Sequence, residues 1–238
     1  MGKTIVYAAD VTALSEPQLF AEAYAAVSPE RRETADRYKS DNDKRLALGA
    51  ELLLRYGLLE AGCKDFPLSF SLGDNGKPYL SDGSIYFSIS HSGNWAVCAI
   101  SDCEIGCDIE KIRPVDLMLS CRFTAKEHDD IMSANPDEQL GLFFRCWTLK
   151  ESFMKATGRG LSLPLNEFQI VMDDEISVIQ SVDKRSYTFS EFDEIEGCKC
   201  SVCAVGGCRD AELKDYLRKY NEEWREDASN DDVSIERN

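Results

Sequence analysis

The sequence lacks any apolar run long enough to cross a membrane. A spanning helix needs roughly 20 consecutive apolar residues, and no stretch of the 238-residue chain approaches that length. The opening segment, MGKTIVYAAD, also lacks the long apolar core of a signal peptide and is more typical of a first β-strand. We therefore expect a cytoplasmic protein with no membrane partner.

The chain has fewer basic residues than acidic residues. The chain has 27 Lys and Arg against 43 Asp and Glu, which gives a formal net charge of −16. General nucleic-acid binding needs a positive surface, so we expect no nucleic-acid partner, and an anionic ligand would need basic groups gathered locally. Part of the acidic charge falls in residues 209–238, which predict a tail made of a solvated helix and a frayed acidic end.

Histidine is scarce, with two residues, whereas cysteine is plentiful, with ten. A chain of this length with 43% hydrophobic residues can bury a core without disulfides, so we predict reduced thiols. The densest cysteine run, CKCSVCAVGGC, has neither the paired C-x-x-C spacing of a zinc ribbon nor a nearby histidine. Its alternation (Cys198, Cys200, Val202, Ala204) predicts a strand, and a zinc site stays a minor alternative.

Helix signals are clear at four places in the sequence. SPERRETADRY begins with Ser28 as a predicted N-cap, and DKRLALGAELLLRYGLLEAG follows as a longer amphipathic helix. Thr124 and Glu127 form a predicted capping box for a helix over about 124–134. A fourth helix is predicted over 136–157.

Strand signals fill the segments between these helices. SIYFSISHS, NWAVCAIS and EIGCDIEKI follow one another and predict a meander, and four further strands close the sequence (NEFQIVM, ISVIQSV, SYTFSEF and CKCSVCAV). The helices-then-sheet order occurs twice. We therefore predict an α+β fold of two similar halves, residues 1–104 and 105–208, each a small, largely antiparallel sheet packed with helices.

The segment IGCDIEK carries two carboxylates inside an apolar strand. Because alternate side chains of a strand share a face, Asp108 and Glu110 are predicted on the face opposite Ile105, Cys107 and Ile109. Neighbouring carboxylates repel each other unless a cation lies between them. The pair therefore indicates either a cation site or an exposed polar face.

A third carboxylate interrupts the apolar stripe of the helix over 136–157. Glu151 shares that stripe with four apolar residues, Leu140, Phe144, Trp147 and Met154. A glutamate in a buried stripe is costly unless it is paired. The simpler interpretation is an ion pair with Lys155 or Lys150. The other is a shared oxygen site with Asp108 and Glu110, which suits Mg²⁺ and a phosphate ligand.

Three ordered motifs give the chain a resemblance to a known family. G-x-D-x-E, W-T-x-K-E-S-x-x-K and S-x-S-H-S, with G-K-P upstream, resemble the 4′-phosphopantetheinyl transferases of the larger, surfactin-synthetase-activating type. The matching residues are Gly106, Asp108, Glu110, Trp147, Thr148, Lys150, Glu151, Ser152, Lys155, Ser88, Ser90, His91, Ser92, Gly76, Lys77 and Pro78. The resemblance implies a monomer that transfers the phosphopantetheine arm of coenzyme A to a serine of an apo carrier protein and releases adenosine 3′,5′-bisphosphate.

The resemblance also implies roles for individual residues. Asp108, Glu110 and Glu151 would hold Mg²⁺, Glu151 would act as the base towards the carrier serine, and Lys155 would stabilise the leaving oxygens. Glu127 matches a carboxylate sometimes proposed as the base, although its capping box is a sufficient alternative role. The residues implied to hold the coenzyme are Arg31, Arg45, Lys77, Ser90, His91, Lys150 and Lys155.

Some alternatives stay open at this stage. The same carboxylates would serve a metal-dependent phosphohydrolase acting on a nucleotide-like diphosphate, and the C-terminal cysteines would serve a zinc-stapled interaction module. Arg122 and Lys126 form a candidate docking patch for an acidic carrier. The carrier itself, from fatty-acid, polyketide or nonribosomal peptide synthesis, is not indicated by the sequence.

Overall fold

A computed structural model describes residues 3–63, 69–83, 85–206 and 210–215. The described part of the chain contains five α-helices and eleven strands. The helices are α1 (Pro17–Ala26), α2 (Pro29–Arg37), α3 (Asp41–Glu60), α4 (Ala125–Ser133) and α5 (Pro136–Ala156). The strands are β1 (Lys3–Asp10), β2 (Phe70–Leu72), β3 (Pro78–Leu80), β4 (Tyr86–Ser92), β5 (Trp95–Ser101), β6 (Ile105–Lys111), β7 (Gln169–Met172), β8 (Ile176–Ile179), β9 (Tyr187–Phe192), β10 (Cys198–Val205) and β11 (Asp210–Asp215).

The helices begin where the sequence places their caps. The Ser28 hydroxyl accepts a hydrogen bond from the Arg31 amide at the start of α2, with Pro29 in the first turn. At the start of α4, Thr124 and Glu127 form the predicted capping box. Each cap satisfies amide groups that have no partner within their helix. The predicted α+β fold is confirmed.

Two larger sheets lie between the helices. The first has the strand order β11-β1-β5-β4, and the second has the order β6-β10-β9. All pairs are antiparallel except β1 with β11. Helix α3 packs on the first sheet and α5 on the second. The opposite faces of the two sheets meet in a buried apolar cluster that includes Val6, Ala8, Cys107, Ile109 and Val202.

Two predictions about strands are wrong. The three successive strands do not form a meander, because β6 leaves the β4–β5 hairpin and pairs with β10 in the other sheet. The predicted C-terminal helix does not begin at residue 209 either, since residues 210–215 form β11, which adds to the open edge of β1. A partly buried Leu213 packs between the sheets and gives this segment a reason to pair. The rest of the predicted tail lies outside the described residues.

The cysteine-rich strand behaves as its alternation predicts. Cys198, Cys200, Val202 and Ala204 all contribute to the cluster between the sheets. Their burial in this apolar cluster raises the pKa values of the Cys198 and Cys200 thiols. Cys208 lies outside the described residues. Among the described helices, none is long and apolar enough to span a bilayer.

Helix α5 touches strand β6 at Gly106 without an intervening side chain. A Cβ atom on Gly106 would lie 2.1 Å from the Ser152 carbonyl oxygen, 2.4 Å from the Ala156 nitrogen and 2.8 Å from the Lys155 Cβ. Real Cβ atoms do not approach backbone this closely, so a side chain here would push the helix off the strand. This contact sets how far the end of α5 lies from the carboxylates of β6.

We expect Gly106→Ala to lower the free energy of unfolding by about 2 kcal/mol, the range of overpacked cores, and to lower activity. Gly141→Ala is the control, because Gly141 lies on α5, the helix that Gly106 contacts, and an added Cβ there meets nothing within 4 Å. Replacing a helical glycine with alanine should stabilise by about 0.5–1 kcal/mol. Chemical denaturation of both variants checks the opposite signs, and equal stability of the two would contradict the close contact.

Candidate active site

Strand β6 presents its carboxylates on the face that the alternation predicts. Ile105, Cys107 and Ile109 are buried in the cluster between the sheets, and the opposite face meets α5 at Gly106 and Asp108. Asp108 and Glu110 therefore lie side by side at the junction of β4, β6 and α5.

Asp108 is the most buried carboxylate of this junction, with 5% of its surface exposed. Its Oδ1 accepts hydrogen bonds from the Ser90 hydroxyl at 2.7 Å and from Lys155 Nζ at 2.8 Å. Its Oδ2 is buried and has no hydrogen-bond partner. Burial raises the pKa of Asp108, although Lys155 and Ser90 act in the opposite direction.

Lys155 connects α5 to β6. Its Nζ also donates to the Cys107 carbonyl oxygen at 2.9 Å. Burial by itself lowers the pKa of Lys155, but Asp108, with smaller contributions from Cys107 and Glu151, outweighs it, so the net shift is upward. Lys155 is therefore a protonated, well-positioned cation at the end of the helix.

Glu110 uses one of its two oxygens for hydrogen bonding. Its Oε2 accepts from the Ser92 hydroxyl at 2.7 Å and from Arg113 Nη1 at 2.9 Å. These two bonds fix the Glu110 carboxylate, whose side chain is more exposed than that of Asp108.

Glu151 is half-buried on α5 and makes no hydrogen bond or ion pair with the described residues. The simpler interpretation of this residue is wrong, because Lys155 pairs with Asp108 and Lys150 pairs with Glu127. Burial raises the pKa of Glu151, and the charge of Asp108 raises it further. An unpaired carboxylate near two others is typical of a functional position.

The uncommitted donors at this junction are carboxylate oxygens, the type that a hard divalent cation prefers. In the described part of the chain, no group of three or more His, Cys, Asp or Glu side chains is already gathered as a metal site. The orphaned, buried Oδ2 of Asp108 nevertheless needs a partner, and Glu151 has two uncommitted oxygens. Carboxylate oxygens are the ligands that Mg²⁺ prefers.

A cavity of about 480 Å³ opens beside this junction. Its polar lining includes Arg31 of α2, Asp43 of α3, Ser90 and His91 of β4, and Lys155 of α5. Burial lowers the pKa of His91, and the charge of Lys155 lowers it further. The lowered pKa favours neutral imidazole, so the cavity offers an anionic ligand two cations, Arg31 and Lys155, beside the carboxylate of Asp43.

Arg31 of α2 and Arg45 of α3 differ in their position relative to this cavity. Arg31 also lines a neighbouring cavity of about 970 Å³, and its Nε donates to Glu51 at 3.2 Å. Arg45 Nη2 donates to Asn42 at 3.3 Å, while its Nε is buried without a partner. Arg31 therefore faces the cavity, whereas Arg45 is not among its lining residues.

Lys77 has a different role from the one the sequence suggests. Its Nζ donates to the carbonyl oxygens of Ile105 at 2.6 Å and Lys155 at 2.8 Å. Burial lowers the pKa of Lys77 to about 8. The side chain caps the carboxyl end of α5 and joins it to β6, so in this structure it is not free to bind a phosphate.

Lys150 is wrongly predicted as a coenzyme contact. The side chain is fully buried, and its Nζ pairs with Glu127 at 2.8 Å. The same ammonium donates to the Leu165 and Phe168 carbonyl oxygens, each at 2.8 Å. Glu127 in turn accepts from the Ile170 amide at 2.7 Å. With 1% exposure and every oxygen engaged, Glu127 has the capping role and not that of a base.

Comparison with known proteins places these residues in a family. The profile described as 4′-phosphopantetheinyl transferase superfamily matches residues 104–203, and the profile described as 4′-phosphopantetheinyl transferase, N-terminal, matches residues 15–103. A 4′-phosphopantetheinyl transferase of Bacillus subtilis is 38% identical over 204 residues, which cover 81% of this chain and 89% of that protein.

This chain belongs to the 4′-phosphopantetheinyl transferase superfamily.

Two further comparisons give the extent of the similarity. The 4′-phosphopantetheinyl transferase Sfp of Bacillus subtilis strain 168 is 37% identical over 185 residues, covering 75% of this chain and 82% of that protein. A holo-(acyl-carrier-protein) synthase structure from Bacillus anthracis aligns with a TM-score of 0.38 and 17% identity over 43% of this chain and 95% of that one. We base the assignment on the sequence matches, which confirm the resemblance seen in the motifs. As a 4′-phosphopantetheinyl transferase, the chain is an enzyme.

The sequence matches Ser88 and Ser92 to a motif of this transferase family but does not predict what they contact. Ser92 contacts Glu110, and Ser88 contacts the β6 backbone. The signal was present as the alternation of serines in SISHS opposite the alternation in GCDIE. The sequence does not show that the two alternations meet, because β5 lies between β4 and β6 along the chain.

Proposed function

We propose that this chain is a Mg²⁺-dependent 4′-phosphopantetheinyl transferase whose active site is the junction of β4, β6 and α5. Family membership makes it an enzyme that transfers 4′-phosphopantetheine from coenzyme A to a serine of an apo carrier protein. The ion and the roles of individual residues are the proposed part. The observation that carries them is the buried, unpartnered Oδ2 of Asp108 beside Lys155 and the unpaired Glu151.

Asp108, Glu110 and Glu151 would hold the Mg²⁺ ion. When bound, the ion would neutralise the negative charge that develops on the diphosphate as the phosphorus–oxygen bond breaks. The protein's own contribution is to keep the carboxylates oriented before the ligand arrives. Ser90 and Lys155 hold Asp108, and Ser92 and Arg113 hold Glu110.

Glu151 is the proposed base towards the carrier serine. The serine hydroxyl must lose its proton as its oxygen attacks the β-phosphorus of coenzyme A. Burial and the charge of Asp108 raise the pKa of Glu151 in the absence of the ion, whereas Mg²⁺ bound to the same carboxylate would lower it. The Glu151 carboxylate can accept the proton directly or through a water molecule.

Lys155 is proposed to stabilise the leaving group, adenosine 3′,5′-bisphosphate. Its ammonium lines the cavity and is held by Asp108 and the Cys107 carbonyl. A fixed cation costs no reorganisation when charge develops on the leaving oxygen. His91 and Arg31, which line the same cavity, are proposed to contact the phosphates of the coenzyme.

The remaining expectations are proposals of the same kind. We propose a monomer made of halves 1–104 and 105–208 that acts in the cytoplasm. Arg122 is the better candidate of the carrier-docking pair, because Lys126 is already paired with Asp130. Charge complementarity would then raise the association rate with an acidic carrier.

The test is transfer to an apo carrier protein in the presence of coenzyme A and Mg²⁺. Mass spectrometry should detect a carrier heavier by one phosphopantetheine group, and chelation of divalent ions should abolish the increase. Full transfer after chelation would contradict the metal site. Cleavage of coenzyme A with no mass gain on the carrier would favour the phosphohydrolase.

A further inference from the structure

Three alternating serines of β4 contact strand β6. The Ser88 hydroxyl accepts a hydrogen bond from the Cys107 amide at 3.0 Å. Two residues further, the Ser90 hydroxyl donates to Asp108 Oδ1 at 2.7 Å, and after two more the Ser92 hydroxyl donates to Glu110 Oε2 at 2.7 Å. We call Ser88, Ser90 and Ser92 the serine seam.

The serine seam joins two strands that belong to different sheets. β4 is the last strand of the first sheet and β6 the first strand of the second, and no backbone ladder pairs them. The contacts advance in the same direction along both strands, as in a parallel pair. Serine hydroxyl groups therefore make the hydrogen bonds between β4 and β6, where the first sheet contacts the second.

The seam also fixes both strand carboxylates. A donated hydroxyl proton holds one oxygen of each carboxylate, which leaves Asp108 Oδ2 without a partner and Glu110 Oε1 uncommitted. Ser92 is held in turn, because its oxygen accepts from the Lys111 amide at 3.1 Å. A hydroxyl anchored to the backbone is a rigid support for the carboxylate next to it.

We infer that Ser92 is a positioning residue that orients Glu110 for the divalent cation, as Ser90 orients Asp108. The inference rests on the proposed function, since it assumes that these carboxylates bind a metal. Partners of metal ligands are worth roughly 10- to 100-fold in metal affinity. A purely structural seam would instead affect folding and leave the affinity for the ion unchanged.

The test measures metal binding directly. Mn²⁺ is titrated into the full chain in the presence of coenzyme A, without carrier, and bound Mn²⁺ is followed by electron paramagnetic resonance. Ser92→Ala should bind Mn²⁺ about tenfold more weakly than the wild type. Ser92→Thr keeps the hydroxyl and should stay within about twofold, since Thr retains the donor. Ser133→Ala, which removes a hydroxyl at the end of α4, is the matched control.

A second variant at Ser92, together with thermal unfolding, distinguishes a loss of metal affinity from a loss of stability. Ser92→Cys keeps the shape of the side chain with only a weak donor, so it should lose affinity like Ser92→Ala while melting like the wild type. Wild-type Mn²⁺ affinity in Ser92→Ala or in Ser92→Cys overturns the inference alone. A wild-type chain that neither binds Mn²⁺ nor modifies a carrier overturns the proposed function and the inference with it.

Discussion

Glu151→Gln should abolish carrier modification while leaving the protein folded. The amide cannot accept the serine proton, and loss of a general base costs about 10²- to 10⁴-fold in rate. The variant also removes one of the three carboxylates proposed to hold Mg²⁺, so we expect the upper part of that range. Carrier mass gain under single-turnover conditions is the measurement.

The stability of this variant should move in the opposite direction to its activity. Glu151 is half-buried and unpaired, and the charge of Asp108 already raises its pKa. Neutralising it removes a repulsion between carboxylates and no hydrogen bond. The melting temperature should therefore equal or exceed that of the wild type, as expected when function maintains an unfavourable charge.

Glu138→Gln is the matched control for Glu151→Gln. It makes the same chemical change at the other end of α5, where Glu138 accepts a hydrogen bond from Asn135 at 2.9 Å. This variant should retain wild-type transfer. Near-wild-type turnover in Glu151→Gln would rule out Glu151 as both base and metal ligand.

Lys150→Met should destabilise the protein without weakening coenzyme binding. The substitution leaves the carboxylate of Glu127 buried at 1% exposure without its cation. Breaking a buried pair from one side costs about 3–5 kcal/mol, which for a chain of this size corresponds to a fall in melting temperature on the order of 10 °C. Thermal and chemical unfolding measure the loss.

A second substitution tests the cause. Glu127→Gln in the Lys150→Met background removes the uncompensated charge and keeps an oxygen for the Ile170 amide, so it should recover part of the stability. Coenzyme affinity should be unchanged in Lys150→Met at a temperature where it is folded. If Lys150→Met melts like the wild type but binds coenzyme A weakly, the result would support a contact between Lys150 and the coenzyme.

The sequence by itself determined the family and much of the local structure, although not the strand over residues 210–215. Period-two alternation placed Asp108 and Glu110 on one face of β6, and cap residues marked where α2 and α4 begin. These features depend on neighbours within about one turn or one strand, which the sequence contains. The ordered motifs were specific enough to indicate a 4′-phosphopantetheinyl transferase, and the comparisons confirmed it.

Only the tertiary structure decided which lysine forms an ion pair with which carboxylate. Lys150 and Lys155 are five residues apart on one helix, so they point in directions about 140° apart. Lys150 is directed to Glu127, and Lys155 to Asp108 on β6. Lys77, distant in sequence, caps the same helix. A long lysine side chain can reach many partners, and its choice depends on how helices and sheets pack, which local sequence patterns do not encode.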